Sequence, residues 1–296
     1  MAPILPVKFY TRTGVKSSTG EYLEINSIGE GLYMRRSLTF GHVAGVPLRI
    51  HVNWFFIAAL VTWSLAAGYF PQEYPTWGDI TYWLVGLVTA SFFFASVLAH
   101  ELAHAIVAQQ EGIPVRSITL FILGGVAHIG HEPETAESEF KIVAAGPGIS
   151  LVLAGAFYLI HLVTGFLPIA SAVALYLFQI NVILAVFNLI PGFPLDGGRI
   201  LRSFVWKITN DFFRATRFAR SSGLFVAFLF ILVAAALSLK GNYFSGLWIG
   251  FIGLYLGNAA QESYRQVMPE KSNEPASAIR VVEERSQPQP RYSGEL

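Results

Sequence analysis

Hydrophobic residues in this chain gather into long uncharged runs, separated by short polar stretches that contain proline and glycine. The run 82–99 (YWLVGLVTASFFFASVLA) carries no charge and approaches the ~20 residues a helix needs to cross a bilayer. The pattern predicts six spans, at about 52–70, 82–109, 143–166, 171–190, 222–239 and 244–260. Pro71, Pro75, Gly112, Pro114, Pro191 and Gly241 punctuate their ends. Trp54, Trp77, Tyr82 and Trp83 fall near span ends, where aromatic anchors sit at the membrane interface. In the last span, Gly246, Gly250, Gly253 and Gly257 recur every three or four residues and suggest close helix packing.

Two stretches have a different rhythm. Residues 37–52 alternate irregularly around glycines, and residues 115–129 are rich in β-branched and aromatic side chains. Both read as strands. Residues 115–129 are too short and glycine-broken for a span, so a small sheet at one membrane face is expected. That segment could also accept a peptide as an added strand. Residues 269–296 are polar, contain proline and read as a tail. The expected fold is an all-α polytopic membrane protein with about six transmembrane helices and small β segments on the cytoplasmic side. Residues 1–51 form an N-terminal region, 52–262 the membrane domain and 263–296 a flexible tail.

Composition agrees. Mean hydropathy is +0.51 and charged residues are 13% of the chain, against roughly 25% in soluble domains. A net charge of +1 gives no bulk electrostatic case for nucleic acid. The chain has no cysteine, which excludes disulfides, thiolate metal sites and cysteine nucleophiles. Residues 1–50 are mixed and polar, so no cleavable signal peptide is expected. Charge placement sets orientation. If both termini share one side, 19 of the 20 Lys and Arg residues lie there, and only Lys240 does not. That bias assigns both termini to the cytoplasm and the protein to the cell membrane.

The chemistry sits in Ala99-His-Glu-Leu-Ala-His-Ala105, inside the second span. His100 and His104 are four residues apart, so a helix puts both imidazoles on one face within reach of one ion. In an HExxH arrangement, the glutamate beside the first ligand serves as general base. A catalytic zinc takes three protein ligands, and the aspartates are few: Asp79, Asp196 and Asp211. Asp79 falls on the opposite side, and Asp211 lies among basic residues. Asp196 follows the fourth span in Asn188-Leu-Ile-Pro-Gly-Phe-Pro-Leu-Asp196-Gly-Gly-Arg199, a backbone able to fold a carboxylate back into a helix bundle. His128 and His131 form a weaker candidate pair, best placed on an inner loop. His51 and His161 fit span ends. Asn181 suits packing, and Arg199 could orient Asp196 or mark the membrane boundary.

These motifs resemble the site-2 protease family of intramembrane zinc metalloproteases. The resemblance also includes Gly45-Val-Pro-Leu-Arg-Ile-His-Val-Asn-Trp54, Gly124-Gly125 and Ala145-Gly-Pro-Gly148, and covers residues 40 to about 262. It implies one catalytic Zn2+ held by His100, His104 and Asp196, with Glu101 activating a zinc-bound water. Asn188 would hold substrate backbone or assist the oxyanion. Implied substrates are single-pass membrane proteins such as an anti-sigma factor, a membrane-bound transcription regulator or a remnant signal peptide. Neither a PDZ module nor a pair of CBS modules fits in this chain. The alternative is a zinc-containing membrane binding or retention factor without proteolysis.

Overall fold

The computed structural model describes residues 8–9, 14–16, 22–24, 37–121 and 124–267. The expected tail at 269–296 lies outside them. Seven strands and seven helices are described, labelled here in chain order. The strands are β1 (Lys8–Phe9), β2 (Gly14–Lys16), β3 (Tyr22–Glu24), β4 (Ser37–Val43), β5 (Val46–His51), β6 (Val115–Phe121) and β7 (Gly124–Ile129). The helices are α1 (Asn53–Glu73), α2 (Asp79–Gln110), α3 (Ala136–Val163), α4 (Pro168–Asn188), α5 (Asp196–Thr209), α6 (Phe212–Leu239) and α7 (Tyr243–Val267). Helix α1 passes through a π-helical turn at Leu65–Tyr69 before Pro71.

Five helices, α1, α2, α3, α4 and α6, are long and apolar enough to cross a membrane. The sixth expected span, 244–260, is helical within α7, but its glycines, Tyr255 and Asn258 dilute its apolar density. Those glycines work in packing. A Cβ on Gly246 would stand 2.8 Å from the Ala234 carbonyl oxygen, and one on Gly253 would stand 3.0 Å from that of Ala227. At the far end Arg220 lies over the Tyr264 ring at 4.8 Å. Helix α7 therefore runs antiparallel along the full length of α6, through the small-residue contact its spacing suggests.

The strands form a five-stranded sheet in the order β1-β7-β6-β5-β4, with β2 and β3 as a separate antiparallel pair. β4 and β5 make a hairpin whose turn residues, Ala44 and Gly45, have φ of 51° and 77°. Positive φ at both central positions gives the turn twist that matches paired strands, and glycine accepts it without strain. β5 and β6 pair in parallel, Leu48 opposite Ile118, and β6 and β7 form a second hairpin. β6 is thus interior, with both edges taken, so it cannot itself receive an added strand. Among the described residues, the backbone edges left in this sheet are the outer sides of β4 and β1 and Gly124–Ala127 of β7, beyond the pairing of β1 with His128 and Ile129.

One face of this sheet, with Val46, Leu48 and Ile118, packs on Ala105 and Ala108 of α2 and on Ile142 of α3. The sheet thereby grips α2 one turn beyond His104. Helix α3 starts seven residues before its expected boundary at 143. Thr135 caps it, its Oγ1 accepting from the Ser138 backbone N–H at 3.1 Å, with Glu137 and Glu139 in the first turn. The basic stretch after Asp196 also becomes a helix, α5. Its arginines at 199 and 202 are buried while Phe204 and Ile208 face outward, 62% and 65% exposed, as suits a helix lying against lipid. Of the expected interface aromatics, Tyr82 is instead buried, its hydroxyl donating to the Tyr74 carbonyl at 2.8 Å. Trp77 stacks on Tyr74, and Trp83 remains half exposed.

A methyl group at 246 must push α7 off α6, because the atoms it meets include backbone. Gly246→Ala is expected to destabilise the protein by ~1–3 kcal/mol. Gly250→Ala, whose Cβ would meet only the Ala234 Cβ at 3.4 Å, should leave the melting temperature in detergent nearly unchanged.

Candidate metal centre

Helix α2 presents His100 and His104 on one face, and both are fully buried. Asp196 arrives from the start of α5. The preceding loop is folded tightly on itself: a Cβ on Gly197 would lie 2.3 Å from the Leu189 carbonyl oxygen, and one on Gly198 2.3 Å from the Gly192 carbonyl carbon. Without side chains at these two positions, the chain can reverse after α4 and return the carboxylate to α2. The result is a triangle of ligand atoms. Asp196 Oδ2 lies 3.1 Å from His100 Nε2 and 3.3 Å from His104 Nε2, and the two nitrogens are 3.2 Å apart. Tetrahedral zinc with bonds of ~2.0–2.1 Å separates its ligand atoms by about 3.3–3.4 Å. The observed triangle is therefore close to the right size.

The ring orientations agree. His104 Nδ1 lies 2.7 Å from the Ile142 carbonyl oxygen, which can only accept, so Nδ1 donates there and the Nε2 lone pair faces the triangle. His100 Nδ1 lies 3.0 Å from Ser150 Oγ. Both partners belong to α3. Outer hydrogen bonds of this kind fix the tautomer and aim of a metal-binding imidazole. Between Ile142 and Ser150 on the same helix comes Gly146. A Cβ there would stand 2.2 Å from His104 Nε2 and 2.6 Å from His100 Nε2, so only glycine leaves room in front of both nitrogens. Two nitrogens, one carboxylate and this clearance fit a zinc ion. Among the described residues, no other group of three such side chains converges in this way.

Glu101, one residue from His100, is 1% exposed, and its Oε1 has no hydrogen-bond partner. The remaining candidates make other contacts. Asn188 is buried at the end of α4, and its Nδ2 donates to the Leu184 carbonyl of its own helix. Asn181 crosses to α2, donating to Ser96 Oγ at 3.2 Å, a packing contact as expected. Asp79 starts α2 at the opposite end. Asp211 caps α6, accepting from the Arg214 backbone N–H at 2.9 Å. His131 is exposed, its Nδ1 donating to the Glu132 carbonyl. The side chain of His128 lies outside the described residues.

One group was missed by sequence reasoning. Glu139 on α3 is fully buried and meets Arg199 and Arg202 of α5, and Arg202 also reaches Glu132 at 2.7 Å. Burial alone would lower the Arg202 guanidinium, but Glu139 and Glu132 hold it above its ordinary value. The available signal was the three-residue spacing of Asp196, Arg199 and Arg202, which continues the liganding helix.

Comparison with known proteins places this geometry. Residues 88–174 and 166–233 match the model of peptidase family M50. The chain is 37% identical over 237 residues to the candidate zinc metalloprotease Rip3 of Mycobacterium tuberculosis, covering 79% of this chain and 60% of that protein. It is also 37% identical over 255 residues to a candidate zinc metalloprotease of Synechocystis, covering 85% and 66% respectively. The chain thus spans about 60% of the length of the first of these relatives. A solved site-2 protease from Methanocaldococcus jannaschii aligns at 25% identity with a TM-score of 0.49, over 77% of this chain and 95% of that one.

Gly146→Ala should displace the metal from a chain that still folds. Alanine favours a helix over glycine by ~1 kcal/mol, which offsets part of the cost of moving two buried rings, so the metal-free melting temperature should fall only modestly. Bound zinc, measured by elemental analysis after purification, should fall from one per chain to well under a tenth.

Proposed function

The chain belongs to peptidase family M50, and on that footing we propose that it is a zinc-dependent intramembrane endopeptidase acting on single-pass membrane proteins. One observation carries the reading. A buried carboxylate with an unpartnered oxygen, Glu101 Oε1, stands on the helix that supplies two members of the His100, His104 and Asp196 triangle. A buried ionisable group without a partner is costly as mere packing, whereas a base needs a free oxygen with which to take a proton.

His100, His104 and Asp196 would hold the ion. When bound, zinc supplies Lewis-acid polarisation of the scissile carbonyl and brings the pKa of a coordinated water near neutrality. Glu101 takes the proton of the attacking water and returns it to the leaving amine nitrogen. Asn188, at the end of α4, is assigned to hold substrate backbone or support the developing oxyanion. The two histidines and Glu101 are at most 1% exposed and the Asp196 side chain is 12% exposed, so the centre is largely shielded from water.

A transmembrane helix hides its carbonyls in its own i to i−4 hydrogen bonds, so the cleaved segment must unwind. Backbone groups freed by unwinding need new partners. The strand edge at Gly124–Ala127 and the outer side of β4 offer them, on the sheet that packs one turn from His104. Candidate substrates are an anti-sigma factor, a membrane-bound transcription regulator or a remnant signal peptide. The basic residues favour the cell membrane with both termini in the cytoplasm.

Glu101→Gln keeps the size of the side chain and removes the base. In detergent with a single-pass substrate, the variant should retain one zinc per chain and lose at least ~100-fold in cleavage rate. Equal cleavage by both proteins would overturn the role of Glu101. Zinc without cleavage by the wild type, across a broad substrate panel, would favour the binding or retention factor.

A further inference from the structure

Helix α3 carries the support of the triangle and helix α5 carries its third member. The two run antiparallel: Asp196 stands beside the Gly146 end of the contact, and Arg202 stands beside Glu139. From Asp196 to Arg202 is six residues, about 9 Å of helix, and from Gly146 back to Glu139 is seven, about 10.5 Å. The site and the ion pair are therefore two fixed points on one helix–helix contact. Arg202 Nε donates to Glu139 Oε1 at 2.7 Å, and a second guanidinium nitrogen donates to both Glu139 Oε1 and Glu132 Oε2. Arg202 and Glu139 are 1% and 0% exposed as side chains. The guanidinium is also flanked by the rings of Phe193 and Phe212, at 5.4 and 4.9 Å. Phe193 belongs to the loop that delivers Asp196.

We propose that Arg202 and Glu139 are positioning residues for the metal: their directional ion pair sets the register of α5 against α3 and so holds Asp196 Oδ2 in the ligand triangle. A buried ion pair is a poor source of stability compared with apolar residues of similar volume. Its distinguishing property is direction. Two guanidinium nitrogens converging on Glu139 Oε1, one of them shared with Glu132, restrict the register, while an apolar contact tolerates sliding by fractions of an ångström. The ligand atoms already stand 3.1–3.3 Å apart, so sliding on that scale changes coordination. The inference rests on the zinc reading of the site.

Zinc affinity of the full chain in detergent, measured by competition with a chromogenic chelator, tests it, together with the visible spectrum of the cobalt-substituted protein and the melting temperature of the metal-free protein. Arg202→Met leaves Glu139 only its 3.4 Å contact with Arg199 and is expected to lower the melting temperature. The double variant Arg202→Met with Glu139→Leu removes both charges and should recover part of that loss, since Arg199 and Glu132 then each lose a partner. In the double variant zinc binding should remain 10–100-fold weaker than wild type, the range of lost outer-shell support, and the cobalt bands should shift. A double variant that folds, with zinc affinity within threefold of wild type and an unchanged cobalt spectrum, would overturn the positioning role. If the double variant does not fold, Arg202→Lys decides on the same readouts, since it keeps the charge but not the planar pair of donors that meets Glu139 and Glu132 together. A wild-type chain that takes up no zinc would sink the metal reading instead.

Discussion

Two imidazole nitrogens and a carboxylate oxygen face one another at 3.1–3.3 Å in a site almost closed to water, and their lone pairs repel unless a cation stands among them. In a medium of low polarity that repulsion is not screened. The rest of the fold must hold these groups against it. Helix α3 does so through three positions on one stripe: the Ile142 carbonyl and Ser150 hydroxyl orient the rings, and Gly146 keeps clear of them. The sheet anchors α2 just beyond His104 through Ala105 and Ala108, residues small enough to let Val46 and Ile118 close in. Each support reaches the site through backbone or through small or β-branched side chains, which have few rotamers to relax into.

That distinction explains what was legible in the sequence. His100, Glu101 and His104 could be read because helix geometry alone brings them together. Asp196 could be read because aspartates are few and its flanking prolines and glycines announce a reversal. The strands at 37–52 and 115–129 were visible from their β-branched residues between glycines, and both hairpins form there. Pairing across the sheet was not visible, since β5 and β6 are joined by contacts between residues about 70 apart. Hence β6 looked like a free strand and proved to be interior. The partner of His104 was invisible too, because it is a backbone carbonyl and any residue at 142 would supply one.

Polar residues at helix ends were read as solvated boundary charges, and some are. Asp211 and Arg214 cap and pair in the open at the start of α6. Glu139, by contrast, was left outside the third span, because the apolar run starts three residues later. Its capping residue Thr135 extends α3 backward and takes Glu139 into the interior. Hydropathy marks where lipid contact begins, whereas capping marks where the helix begins. The difference here is one and a half to two turns, and it contains the residue that meets both arginines.

The buried arginines also bear on orientation. A count of basic residues assumes that each is free to face the membrane surface. Arg199 and Arg202 do not meet that condition, being buried against Glu139. Arg220 is held on the Tyr264 ring. Discounting the first two from the nineteen leaves the proposed cytoplasmic side far more basic than the side of Lys240. The proposed orientation thus does not depend on them, and the two arginines are released for another explanation. Their place on the liganding helix, three and six residues beyond Asp196, points that explanation toward the metal centre rather than toward the membrane.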